Sequence, residues 1–309
     1  MQSFSDRLAL AIVQKKTPVL VGLDPRWEQL PESITEGIDT PTEFDAAEAY
    51  SRFCHEVIDV VAPLVPAVKP QMAFFEQCGP DAMRALVGVV HYAQSKGLLV
   101  ILDGKRNDIG STAAAYAAGL FGRGESPWSA DALPVSPYLG DDSIEPFIDT
   151  ARERNAGVFV LVKTSNPGGK LFQDLVADGK PVYRHVAEWV ESVSRKSLGQ
   201  RSPNPYSSIG AVVGATWPKQ LAELREVMKS VWFLVPGYGS QGGAAKDVAG
   251  AFDARGLGAL VNNSRGIIFA HKKPQYAQFG EKNWQRAVEA ATLEMIDALA
   301  ADTAAGKLR

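Results

Sequence analysis

The sequence predicts an α/β protein of the (β/α)8 TIM-barrel class, one domain carrying inserted loops. Three observations predict it. Eight short apolar runs with strand character recur along the 309 residues, and each is followed by a stretch with helical spacing of its apolar positions. No shift of composition and no internal repeat divides the chain. Acidic, basic and glycine-rich positions gather where the apolar runs end, which in a parallel barrel is one common face. A doubly wound open sheet is the competing architecture, but it rarely needs eight consecutive βα units without a break.

In chain order, residues 4–15 read as a short amphipathic helix and 18–23 as the first strand, ending at Asp24-Pro25. A polar connection rich in Pro, Glu and Thr fills 25–43, and a helix follows at 44–62, with Ala46, Ala47, Tyr50, Phe53, Val57 and Val60 at helical spacing. Strand two is 67–71, a helix spans 80–96, and strand three runs from Leu98 to Asp103. Beyond it, Ser111 or Thr112 is placed to cap a helix continued by Ala113 to Ala118. Strands at 130–136, 157–162, 209–215, 231–235 and 258–262 follow, with helices at 142–154, 181–198, 218–229, 245–254 and 283–301. The core is expected to cover about 16–303 with a polar C-terminal tail, and the inserted loops are 25–43, 199–208 and 272–282.

Composition narrows the function classes. Apolar content of 46% and charged content of 22% are ordinary for a globular protein, and a net charge of −3 argues against general nucleic-acid or membrane binding. No apolar run approaches the roughly 20 residues needed to cross a bilayer. Cys54 and Cys78, with no signal-like start, read as free thiols of a cytoplasmic protein. They form no CxxC, and His55, His91, His185 and His271 are scattered, so no zinc pattern exists.

The strand ends carry Asp24, Lys69, Asp103 with Lys105, Ser165, Gln241 and Arg265. Each has an ordinary explanation alone: a turn-forming Asp before Pro, a rim lysine, a polar turn. Together, Asp24, Lys69, Asp103 and Lys105 make an alternating carboxylate–ammonium array on one predicted face. Side chains two apart on a strand share a face, so Asp103 and Lys105 should point the same way. Asp108 falls beyond the strand and is free to face elsewhere. A lysine between carboxylates keeps its proton, which suits it to stabilising developing negative charge and then delivering that proton, not to Schiff-base chemistry.

Gly237-Tyr-Gly239-Ser-Gln-Gly242 is a literal GxGxxG, but it follows the seventh strand, and the eighth ends without the acid that would bind a ribose. In a barrel, the loops after strands seven and eight commonly bind phosphate. Gly237, Gly242 and Gly243 permit a backbone nest, Gln241 can donate, and Arg265 can fork onto two oxygens.

Asp103-Gly-Lys105-Arg-Asn-Asp108-Ile matches the D-x-K-x-x-D signature of the orotidine 5′-phosphate decarboxylase family, and Val68-Lys69-Pro70-Gln71-Met-Ala-Phe74-Phe75-Glu76 resembles the second strand of its longer bacterial (type 2) form. Ser165-Asn166-Pro167, Pro236 through Gly243, and Ser264-Arg265-Gly266 fit as well, so the resemblance runs in order from about Val21 to Ala270. It implies decarboxylation of orotidine 5′-monophosphate to UMP in pyrimidine biosynthesis, with no metal and no organic cofactor. Lys105 would protonate C6 once carbon dioxide has left, and Asp103 would sit against the substrate carboxylate. Lys69 would complete the network and contact the ribose, while Asp24 would bind ribose hydroxyls. Ser165 would hydrogen-bond the pyrimidine, and Gln241 with Arg265 would hold the phosphate. Asp108 and Thr112 would reach into a neighbour's site, making a homodimer with shared active sites. D-x-K-x-x-D also occurs in sugar-phosphate aldolases of the same barrel superfamily, so a lyase or aldolase of that kind is the enzymatic alternative. A barrel that binds a phosphorylated ligand without chemistry is the other.

Overall fold

Eight parallel strands hydrogen-bond in an order that follows the chain around a ring. They are β1 (Val19–Leu23), β2 (Ala67–Pro70), β3 (Leu99–Val100), β4 (Ala132–Val135), β5 (Gly157–Lys163), β6 (Ile209–Val213), β7 (Phe233–Val235) and β8 (Ala259–Asn263). The ladders run β3-β2-β1-β8-β7-β6-β5-β4, and a parallel bridge between Ile101 and Ala132 links β3 to β4, with Leu102 N–H donating to Ala132 O at 2.9 Å. This is a computed structural model that describes residues 2–198, 204–239 and 241–309. Residues 199–203 of the expected 199–208 loop, and Ser240 of the glycine-rich loop, lie outside the described residues.

Nearly every position in the eight strands is buried, because one face lines the barrel and the other lies under helices. The longer helices are α1 (Phe4–Lys15), α2 (Glu43–Val61), α3 (Gly79–Ser95), α4 (Gly110–Leu120), α5 (Glu145–Glu153), α6 (Val182–Ser197), α7 (Pro218–Val227) and α8 (Trp284–Asp302), of which α2 to α8 form the outer layer. In α2 the start is written in the sequence: Thr42 Oγ1 accepts from Asp45 N–H at 3.2 Å and Asp45 Oδ2 accepts from Thr42 N–H at 2.9 Å. Such a reciprocal cap stabilises a helix end by roughly 1 kcal/mol.

The barrel interior has its own core, built from Leu20, Ala67, Leu99, Ile101, Phe159, Val212, Trp232, Leu234 and Leu260. Helix α1 belongs to it. Phe4, Leu8 and Ile12 plug the N-terminal end, with Phe4 edge-on to Phe159 at 6.0 Å. Buried Asp131 ties this plug down, accepting from Arg7, from Arg123 at 2.8 and 2.9 Å, and from Val100 N–H at 2.9 Å. The expected core beginning at residue 16 therefore starts a helix too late. At the other terminus the polar tail is docked: Ala305 is buried and Lys307 donates to Ala254 O.

Three local expectations are corrected. Helix α4 starts at Gly110 behind Ile109, with no side-chain cap, so Ser111 and Thr112 lie inside its first turn. The β3 ladder is only two residues long, continued by single bridges at Ile101 and Asp103, and Lys105 lies off the strand at φ +40°. The segment expected as helix 245–254 forms 3-10 turns over Ala245–Ala251. Among the described residues, no helix is long and apolar enough to cross a membrane.

Candidate active site

With its N-terminal end plugged, the barrel opens at the C-terminal ends of its strands, where a cavity of about 430 Å³ lies. Asp24 follows β1, Lys69 sits within β2, and Asp103 and Lys105 follow β3. Ser165 follows β5, Gly237 and Gln241 follow β7, and Arg265 follows β8; all of these line the cavity. The charged array expected from the sequence is thus brought together.

Asp103 is its hub. Oδ2 accepts from Lys69 Nζ at 2.6 Å and Oδ1 from Lys105 Nζ at 2.6 Å. Burial pushes the Asp103 carboxyl up, but the two ammonium groups outweigh it and hold it down at about 2. For Lys69, burial acts to lower its pKa, while Asp103 and then Asp24 act to raise it, and the net direction is upward. The ions are not equivalent in access: the side chain of Lys69 is 6% exposed and that of Lys105 47%. Lys69 and Asp103 form the fixed base, and Lys105 is the ammonium that faces the open cavity.

Lys105 reaches Asp103 by a route different from the expected one. The two do not share a strand face; a left-handed residue at the turn after β3 brings the Lys105 side chain back over Asp103. Asp108 and Thr112 do not line the cavity of their own chain. Asp108 Oδ1 accepts from Ile109 N–H at 2.8 Å, and Thr112 is exposed.

In the glycine-rich loop, Gly237 lines the cavity at φ +96°, but Gly242 and Gly243 do not. Their N–H groups are spent inside the loop, donating to Gly239 O at 2.9 Å and Gly237 O at 3.1 Å. The loop after β5 is held by its neighbour. Thr216 Oγ1 donates to Ser165 O, and Trp217 Nε1 donates to Thr164 O, both at 2.8 Å.

Asn262 and Ser264 are not among the site residues expected from the sequence. Both line the cavity, and Asn262 Oδ1, Ser264 Oγ and Asp24 Oδ1 are buried with no hydrogen-bond partner among the described residues. Such atoms call for an outside donor. Gly22 makes the cluster possible: a Cβ there would stand 2.7 Å from Ser264 Cβ and 3.2 Å from Asn262 Oδ1. A glycine inside an apolar strand was the available signal.

An eight-stranded barrel with an acid–ammonium network at its C-terminal mouth, flanked by an arginine and a glycine-rich loop, defines a barrel enzyme for a small anionic substrate. Residues 17–278 match the orotidine 5′-phosphate decarboxylase / HUMPS family. The chain belongs to that family. It is 52% identical over 303 residues to orotidine 5′-phosphate decarboxylase of Rhodopirellula baltica, covering 97% of this chain and 99% of that one. The enzyme of the same name from Haloarcula marismortui is 42% identical over 268 residues, 86% of this chain and 87% of its own. Among solved structures, Leishmania donovani OMP decarboxylase superposes with a TM-score of 0.73 at 33% identity, covering 97% of this chain and 98% of that one.

Proposed function

We propose that this protein decarboxylates orotidine 5′-monophosphate to UMP, as a carboxy-lyase of pyrimidine biosynthesis working in the cytoplasm. The observation that carries the reading is Asp103 pinned between two ammonium groups inside the cavity, in a chain 52% identical to a decarboxylase of that name. Loss of carbon dioxide leaves negative charge on a ring carbon with no conjugated electron sink, so the site must supply a positive charge already in place. Lys105 supplies it and then gives its proton to C6. Asp103 holds Lys105 in aim and lies against the departing carboxylate, while Lys69 neutralises Asp103 from behind.

Asp24, Asn262 and Ser264 offer the unpartnered oxygens that ribose hydroxyls would satisfy. Ser165 takes the pyrimidine, and Gln241 with Arg265 takes the 5′-phosphate, with Gly237 allowing the loop to approach. Gly242 and Gly243 contribute by shaping that loop. Phosphate binding is remote from the reacting carbon, and closing the loop over it spends that binding energy where charge develops.

The active unit is a homodimer with shared sites. Asp108 and Thr112 stand outside their own cavity, beside Ile109, 58% exposed, and Tyr116, 39% exposed, which a second copy would cover. A metal-using sugar-phosphate lyase is the second reading. Among the described residues, no group of three or more His, Cys, Asp or Glu is arranged to hold a metal ion. Incubation with orotidine 5′-monophosphate and a chelator, followed by loss of the orotate absorbance, tests the proposal. No loss of absorbance, with turnover of a sugar phosphate only after metal is added, would replace it with the second reading.

A further inference from the structure

The backbone at Lys105 is held at φ +40°, a conformation that a residue with a side chain rarely keeps unless its surroundings impose it. Part of the constraint comes from the Asp103 ion pair, but a bound substrate carboxylate would compete for that pair. The rest comes from outside the cavity. Arg106 folds back along the turn, with Nη1 donating to Gly104 O at 2.6 Å and Nη2 to Glu76 Oε1 at 2.7 Å. Glu76 closes the short helix that follows β2, so the brace ties the turn after β3 to its neighbour. The Arg106 backbone bridges to Val135 on the opposite side, where Ser136 N–H donates to Arg106 O at 3.2 Å. Gly104 makes room: a Cβ there would stand 2.5 Å from Met72 Sδ and 3.3 Å from Arg106 Nη1. Neither Arg106 nor Glu76 lines the cavity.

We propose that Arg106 and Glu76 are positioning residues that hold the left-handed turn and so fix the aim of the Lys105 ammonium. The proposal rests on Lys105 as the proton donor. Without the brace the turn relaxes toward an ordinary right-handed φ, and the Lys105 side chain swings off the reacting carbon. Substrate binding, carried by the far side of the cavity, is left intact.

The test compares Arg106→Met, Glu76→Gln and Arg106→Lys with the parent for kcat, KM, UMP affinity and thermal midpoint, with Lys105→Ala alongside. Misplacing a catalytic group by about 1 Å costs on the order of a hundredfold, so kcat of Arg106→Met should fall tenfold to a hundredfold. KM and UMP affinity should stay within about threefold, since ground-state contacts are untouched. Glu76→Gln should show a smaller loss of the same kind. Arg106→Lys, which can reach one of the two acceptors but not both, should recover part of kcat. If kcat stays within twofold in both Arg106→Met and Glu76→Gln while Lys105→Ala is inactive, the brace is refuted. A parallel loss of kcat, UMP affinity and thermal midpoint would also refute it, by making the pair structural only. An active Lys105→Ala would instead remove the reading of Lys105 on which the proposal stands.

Discussion

Replacing Asp103 by Asn tests the charged hub through stability as well as activity. In the folded protein the Asp103 carboxyl lies at about 2 against an ordinary 3.8, with its side chain only 8% exposed. That difference corresponds to stabilisation by the ionised form on the order of 2 kcal/mol. The substitution also leaves the buried Lys69 ammonium with Asp24 as its remaining counter-charge, and breaking a buried pair costs about 3–5 kcal/mol where the survivor stays charged. Asp103→Asn should therefore be less stable than the parent by at least about 2 kcal/mol at pH 7. The sign with pH follows from the direction of each shift. Asp103 titrates lower folded than unfolded, so its contribution is complete above about pH 4 and is lost as pH falls through about 2. Lys69 titrates above 10.5 when folded, so its share holds below that value and is lost at higher pH. Urea unfolding followed by tryptophan fluorescence, at one protein concentration across pH 2–9, measures the gap between parent and variant. The gap should be flat from pH 5 to 9 and shrink toward pH 2, with turnover abolished throughout. A variant as stable as the parent at pH 7, or a gap unchanged at pH 2, would refute the electrostatic account of the hub.

Three further experiments probe the rest of the site. Arg265→Ala removes a charge-assisted contact worth about 1.5–3 kcal/mol, so kcat/KM for orotidine 5′-monophosphate should fall at least about tenfold while orotidine without phosphate is turned over nearly as before; equal losses on both would deny Arg265 a phosphate role. Gly22→Ala drives a methyl group to 2.7 Å from Ser264 Cβ, so KM should rise more than kcat falls, by about tenfold if the Asn262 and Ser264 oxygens bind substrate; unchanged steady-state kinetics in a folded variant would show that these oxygens take no part. Lys105→Ala and Asp108→Ala homodimers should each be nearly inactive, yet random subunit exchange should restore roughly a quarter of the parent's sites, because half the dimers then hold one intact site; no recovery with exchange verified by native mass spectrometry would place Asp108 in its own chain's site.

What could be read from the sequence depended on whether a residue's role is set by its neighbours in the chain. The eight strands were legible because a closed barrel covers both faces of each strand, which demands unbroken apolar runs such as Gly157 to Val162. Asp24, Lys69, Asp103 and Arg265 were legible as strand-end charges, since parallel strands deliver their C-terminal ends to one face. The turn at Lys105 was not, because its left-handed φ is imposed by Arg106, Glu76 and Asp103 and contradicts local propensity. The same holds for the α4 start, where Ser111 and Thr112 matched a capping pattern that the chain does not use. Asn262 and Ser264 looked like ordinary polar residues, and only the packing of β8 against Gly22 shows their oxygens to be buried and unsatisfied. Gly242 and Gly243 had the composition of an anion nest, but the nest depends on where the N–H groups point, and these point into their own loop.

The division of labour across the cavity follows from its charges. Asp24, Lys69, Asp103 and Lys105 sum to zero, so the hub alone offers no net attraction to a substrate bearing a carboxylate and a phosphate. In the proposed mechanism, binding energy then comes from the opposite side, where Arg265 adds a positive charge and Gln241 a neutral donor. On that proposal, a substrate drawn in by its phosphate would deliver its carboxylate to Asp103, which stays ionised at any pH well above 2 and would repel it. The repulsion would end when carbon dioxide leaves, whereas the attraction of Lys105 for the growing carbanion would increase along the same proposed path. Both effects would lower the barrier relative to the bound ground state, and neither requires the hub to bind substrate tightly. Asp103 can serve this purpose only while Lys69 keeps it charged in a buried place. In the proposed mechanism, therefore, the least accessible lysine of the site, rather than the proposed proton donor, sets whether the arrangement works.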